Sequence, residues 1–269
     1  MRPFRFHGRT AAISLLWCVV TVLTAFTLTA GPESRAETCP IAAEQGGIKF
    51  PVDRLSIDTR CLLEPIVNRA TTSGQIGPVP MPIQQVLYEY LLDRPVITAS
   101  MVERLGLGSY QFSMKGPNQF WGNDGEGTQS LVTLVYHDRT NRIYYIDGYH
   151  EGQIFPLVRA TAVVFVRIVP QSTPEDHPVI ETSLLAYTKL NDPMLSALVH
   201  LLKPLIGDAV TRKLTKAFDV TNQLGLQIAK DPARIIQELP SLSKIGPDDQ
   251  RTLLSLLQAL AHQTSRETP

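Results

Sequence analysis

The chain has 269 residues, 43% hydrophobic and 19% charged, with 25 basic and 25 acidic side chains. That composition fits a globular protein of one large or two small domains and excludes a disordered or supercharged chain. Setting aside residues 1–36, which hold Arg2, Arg5, Arg9 and Arg35 against Glu33, leaves 21 basic and 24 acidic side chains, a net of −3. No broad basic face remains for a nucleic-acid backbone, so nucleic acid is not expected as a partner.

Residues 1–36 have the three parts of a signal peptide. Arg2, Arg5 and Arg9 form a positive start, Ala11–Ala30 carries no charge, and Ser34-Arg35-Ala36 places small residues before a cleavage site. Cleavage after Ala36 makes Glu37 the first mature residue and sends the protein to a periplasmic or extracellular space. The alternative is an uncleaved anchor, since a 20-residue apolar run can span a bilayer. Cleavage removes Cys18 and leaves Cys39 and Cys61. In an exported protein such a pair most simply forms one disulfide, pinning the segment 37–82 to the body. A reactive thiol is the other reading, but no His or Lys cluster surrounds either cysteine.

Within 37–82 periodicity is weak: Ile48–Ile57 suggests one short strand, and Ser73–Pro82 reads as a Gly/Pro-rich turn region. Ile83, Val86, Leu87, Tyr90 and Leu91 then recur at helical spacing, predicting a helix over Ile83–Leu92 that Pro95 stops. Thr98 predicts the cap of a second short helix closed by Gly106. Ser109–Lys115 and Gln119–Gly122 read as short strands around a Gly116-Pro117-Asn118 turn. Gln129–Tyr136 and Arg142–Tyr149 read as a hairpin. Ala160–Val169 and Val179–Thr188 pair across the proline-rich loop Pro170–Pro178. Gaps this short favour antiparallel neighbours.

Asp192 and Pro193 predict the start of a long amphipathic helix, with Leu195, Leu198, Val199, Leu202, Leu205 and Ile206 on one stripe. Pro204 and Gly207 predict a break, because Asp192–Lys230 unbroken would be about 58 Å long. Asp208 restarts the stripe through Val210, Leu214, Phe218, Leu224 and Ile228. Asp231-Pro232 opens a short helix to Leu239, and Thr252–His262 makes a last amphipathic one ahead of a frayed tail.

The order of a helix pair, antiparallel strands and a long C-terminal helix over about Ile83–Lys230 resembles the START-like (SRPBCC) helix-grip superfamily. The stretches PIQQVLYEYLLD and TSLLAYTKLNDPMLSAL share its flavour. The resemblance implies a cavity between a curved sheet and the long helix, holding a lipid or another apolar molecule. Some members are enzymes and many only bind. No catalytic residue is carried over.

The chain lacks a G-x-S-x-G elbow, a P-loop, G-x-G-x-x-G and H-E-x-x-H. His137, His150, His177, His200 and His262 are scattered without ligand spacing, so no metal or cofactor is expected. Asn123-Asp124-Gly125-Glu126-Gly127 reads as a turn, with framing of a ligand entrance or Ca²⁺ binding as functional alternatives. Tyr145, Asp147 and Tyr149 share one strand face, opposite Tyr144, Ile146, Gly148 and His150. Phenols aimed into a cavity can orient a ligand's polar end, and so can Arg167, whose charge needs a partner if buried. Half-buried strand aromatics and an exposed strand-end arginine are the plainer alternatives. Core packing accounts for the helical stripes better than membrane docking does, because Lys213 and Lys216 alternate with Asp208 and Asp219.

The sequence therefore predicts an α+β protein: signal peptide 1–36, a disulfide-tied segment 37–82, a helix-grip-like domain 83–240, and a C-terminal helix and tail 241–269. It binds an apolar small molecule or lipid through Tyr145, Tyr149 and Arg167. An enzyme of cyclase or hydrolase type in the same cavity is the first alternative. An envelope interaction or scaffold protein using its exposed C-terminal helices is the second, and peripheral envelope association is a further partner expectation.

Overall fold

Strands that must bury both faces read as near-continuous apolar runs, and the ATAVVFVRIV run sits where a two-sided core needs it. In the computed structural model, residues 38–152, 157–171, 179–191, 193–242 and 245–267 are described, with side chains outside 193–206 and 263–267. The predicted signal peptide, the Asp192 cap and most of the Pro170–Pro178 loop lie outside the described residues, as do the stripe side chains Leu195–Ile206.

In chain order the elements begin with a small hairpin, β1 (Glu44–Gln45) and β2 (Ile48–Lys49), a 3-10 turn (Val52–Arg54) and helix α1 (Ile57–Val67). Next come β3 (Thr72–Met81), α2 (Gln85–Asp93) and α3 (Pro95–Arg104). The sheet is completed by β4 (Gln111–Gly116), β5 (Gln119–Asn123), β6 (Thr128–His137), β7 (Asn141–His150), β8 (Val158–Gln171) and β9 (Val179–Leu190). Helices α4 (Pro193–Lys230), α5 (Pro232–Glu238) and α6 (Pro247–Glu267) follow. The seven long strands form one antiparallel sheet in the order β3-β9-β8-β7-β6-β5-β4. This is the α+β curved sheet with a long C-terminal helix that the sequence predicts.

Three local expectations are corrected. Ser73–Pro82 is not a turn region but edge strand β3, paired with β9 from Thr72↔Thr188 to Met81↔Ile180. Prolines are tolerated because one side of an edge strand needs no ladder donors, and the register shifts between Ile76 and Val79, around Pro78. Of the short strand expected within Ile48–Ile57 only Ile48–Lys49 is extended; a 3-10 turn follows, then helix Ile57–Val67, started by the Ser56 hydroxyl accepting from the Thr59 N–H at 3.1 Å. The break at Pro204–Gly207 does not occur: α4 is one helix of 38 residues, about 57 Å long. One interior proline costs about 3 kcal/mol, which a helix packed along β3 and β9 can absorb. Gly207 serves close approach: a Cβ there would lie 3.3 Å from Thr72 Oγ1.

Helix α3 starts at Pro95, before Thr98. The Thr98 hydroxyl instead donates to the Leu91 carbonyl at 2.6 Å, joining α3 to α2. Asp231 caps α5 as expected, accepting from the Arg234 N–H at 3.0 Å.

Alternate residues of each strand face different cores. Val164, Val166, Leu184 and Ala186 pack with α2, α3, α4, α5 and α6. Val163, Phe165, Leu185 and Tyr187 pack with Ile48, Phe50, Leu63 and Ile66 of the N-terminal segment. Phe50 and Phe165 ring centroids are 4.9 Å apart. Cys39 and Cys61 form a disulfide with Cα atoms 4.9 Å apart, tying the segment's start to α1. Among the described residues no helix is long and apolar enough to cross a membrane.

Candidate functional site

On the helix-covered face the packing is incomplete. A cavity of about 420 Å³ lies between β4–β9 on one side and α2, α3 and α4 on the other. Its apolar walls come from Leu91, Leu92, Ala99 and Val102 of the helix pair, and from Val132, Ile146, Val164, Val166 and Leu184 of the sheet. Leu214, Ala217 and Val220 of α4 close the remaining side. Phe112 also lines it, its ring lying over Gly122, where a Cβ would meet that ring at 2.8 Å.

Four of the lining hydroxyls bond to the protein itself. Tyr144 Oη donates to the Leu92 carbonyl at 3.0 Å and Thr98 Oγ1 to Leu91. Thr221 Oγ1 donates to the Ala217 carbonyl at 2.9 Å, and Thr128 Oγ1 bonds His150 Nδ1 at 3.1 Å. Burial, with the Asp93 charge nearby, pushes the Tyr144 phenol far above its ordinary range, so it stays a neutral donor.

Charge gathers at one rim. The turn between β5 and β6 carries Asp124 and Glu126, and α4 carries Lys213 and Lys216; all four line the cavity. Asp124 Oδ1 accepts the N–H groups of Glu126 at 2.8 Å and Thr128 at 2.9 Å, while Oδ2 pairs with Lys213 at 2.5 Å. Burial acts to raise the Asp124 pKa, but Lys213 and those two N–H groups outweigh it and hold it below the usual range. Glu126 pairs with Lys216 and, at 3.4 Å, with Lys213; Lys216 above all holds its carboxyl low. The sequence cluster 123–127 is thus both the expected turn and part of the cavity's frame.

A second polar tie anchors the helix pair. Arg142 on β7 is 1% exposed, and its Nε donates to Asp93 Oδ1 at 2.5 Å with Nη2 to Oδ2 at 3.1 Å. Glu89 lies 3.5 Å away, and the guanidinium also donates to the Asp138 and Asn141 carbonyls. A buried cation satisfied on all sides fixes α2 against the sheet.

Tyr145, Tyr149 and Arg167 do not face this cavity. Tyr145 packs against the N-terminal core. Tyr149 pairs with Arg159 and Arg167 with Asn141 and Ser183, at positions of the same parity as Tyr145 and Phe165. The shared face of Tyr145 and Tyr149 is as expected, but the cavity lies on the other side, so Tyr144 and Ile146 take their place. β7 and β8 carry apolar residues on both faces, and the N-terminal segment covers the face of Tyr145 and Phe165. Among the described residues no group of three or more His, Cys, Asp or Glu could hold a metal ion.

No family model matches this chain, and no curated protein does. Solved structures give distant likenesses. A conserved protein from Geobacillus kaustophilus is 9% identical over 59% of this chain and 95% of its own, with a TM-score of 0.41. Ara h 8.0201 is 16% identical over 58% and 99%, with a TM-score of 0.32. The di-domain ARO/CYC StfQ from the steffimycin biosynthetic pathway is 11% identical over 70% and 63%, with a TM-score of 0.38. Likenesses this distant carry no argument about ligand or activity. The helix-grip description rests on the element order and on α4 lying along β3 and β9.

Proposed function

We propose that this protein is an exported, non-catalytic binder of one apolar small molecule or lipid, held between the sheet and α4. The observation that carries the reading is the cavity of about 420 Å³, walled mainly by apolar side chains, with the Tyr144, Thr98, Thr128 and Thr221 hydroxyls bonded to the protein itself. Protein interiors hold few voids larger than a water molecule. This space opens to solvent at its charged rim, and an apolar occupant would remove its hydrocarbon walls from water.

The disulfide supports export, because such bonds persist in oxidising compartments. For catalysis the charged lining side chains are Asp124, Glu126, Lys213 and Lys216, which are engaged with one another at the rim. That arrangement suits binding better than acid–base work.

Native mass spectrometry of the purified protein tests the reading. The expected spectrum shows one apolar molecule per chain, released on unfolding, and a mature chain beginning at Glu37. A chain that emerges empty and takes up no long-chain alcohol would overturn the binding reading, and a retained leader would overturn export.

A further inference from the structure

The four charged groups at the cavity rim are not equivalent. Asp124 is fixed by two backbone N–H groups and by Lys213. Glu126 is held by lysine side chains and is 49% exposed, and its partner Lys216 is 56% exposed. An exposed ion pair contributes little and exchanges readily, so Glu126 can turn to water without stranding a buried charge. The turn itself need not move, because the Asp124 carboxylate braces its backbone.

With Glu126 turned away, the rim presents donors: the ammonium groups of Lys213 and Lys216, and the phenol of Tyr110, which also lines the cavity. Arg212 and Lys216 line an adjoining open groove with Asp219 as its one acid, so the approach from solvent carries a net charge of one positive unit. A cationic head displacing Lys216 would instead lie beside Lys213, which Asp124 keeps in place. The Asp124 charge itself is already satisfied by three donors.

Volume limits the tail. A cavity of about 150 Å³ accepts a benzene ring, so about 420 Å³ accommodates roughly 15–20 non-hydrogen atoms. That matches one hydrocarbon chain or a few fused rings.

From these observations, and resting on the binding reading above, we propose that the occupant is a single-chain or few-ring amphiphile with a carboxylate head. The carboxylate replaces Glu126 at Lys216, while Lys213 stays with Asp124. The tail lies against Val166, Leu184 and Val220.

Equilibrium dialysis of the purified protein against radiolabelled hexadecanoic acid, hexadecan-1-ol and hexadecylamine tests it. The acid is expected to bind about tenfold tighter than the alcohol, and the alcohol tighter than the amine. Lys216→Gln should bring the acid to the alcohol's affinity, while Glu126→Gln should tighten the acid. An acid no tighter than the alcohol, an amine that binds best, or an acid preference that survives Lys216→Gln would overturn the head-group assignment and leave the apolar cavity standing. If none of the three binds, both readings fall.

Discussion

On one face of the sheet the apolar residues of the central strands are covered by the N-terminal segment. Phe165, Val163 and Leu185 meet Phe50, Leu63 and Ile66, and a disulfide and the Tyr187–Gln45 hydrogen bond at 3.0 Å hold the cover in place. On the other face the neighbouring residues of those same strands, Val164, Val166 and Leu184, border a space of about 420 Å³. Its helical cover is propped at separate points, by Arg142 against Asp93 and by Lys213 against Asp124. The two faces are alike in residue type, so hydrophobicity alone does not make a pocket. A pocket results when polar ties hold a cover away from an apolar wall instead of letting it collapse.

This contrast can be broken most sharply by truncation beneath the N-terminal segment. Phe165→Ala should cost about 3–5 kcal/mol in urea unfolding, because it opens a void beneath Phe50. Removing the disulfide with Cys39→Ser and Cys61→Ser should cost about 3 kcal/mol. Hexadecan-1-ol binding should survive in the fraction that stays folded, since the disulfide serves the other face.

Enlargement should separate the faces in the opposite sense. Val163→Phe should cost about 1–3 kcal/mol by overpacking, whereas Val166→Phe, three residues on and on the opposite face, should leave the melting temperature unchanged or higher and abolish alcohol binding. Equal costs for the two would contradict the division into a filled face and an open one.

The smallest effect concerns pH. Burial acts to raise the Asp138 pKa, but the Thr140 N–H, the Tyr136 and Thr140 hydroxyls and the Asn141 amide hold it well below the usual range. Its folded pKa is depressed, so its contribution is present above about pH 4 and is lost as pH falls below that. Asp138 also pairs with Arg54 of the N-terminal segment at 2.9 Å. Asp138→Asn should therefore cost about 1–3 kcal/mol at neutral pH, with the gap from the parent closing in acid. A gap that persists at low pH would assign the loss to shape rather than charge.

Much of this architecture is legible in the chain. Alternation marks β6 to β9, Pro232 with Asp231 marks α5, and two cysteines imply their own bond. Alternation also places Tyr145 and Tyr149 on one face, but it carries no sign saying which face is open. That depends on Phe50 and Leu63, whose segment has little periodicity. Strand β3 was hidden by its glycines and prolines, which read as turn signals unless the strand is known to be an edge. Arg142 gave no signal because Asp93 and Glu89 reach it from a different element. The Asn123–Gly127 turn chemistry was visible, whereas its partners Lys213 and Lys216 are brought to it only by the crossing of α4.

The central claim is that one face accepts a ligand and the other does not. Methyl-labelled NMR during titration with hexadecan-1-ol reads both faces at once. The account predicts shifts at Ile146, Val164, Val166 and Leu184 with Val163, Leu185 and Ile143 unmoved; no shifts, or shifts centred on Val163 and Leu185, would contradict it.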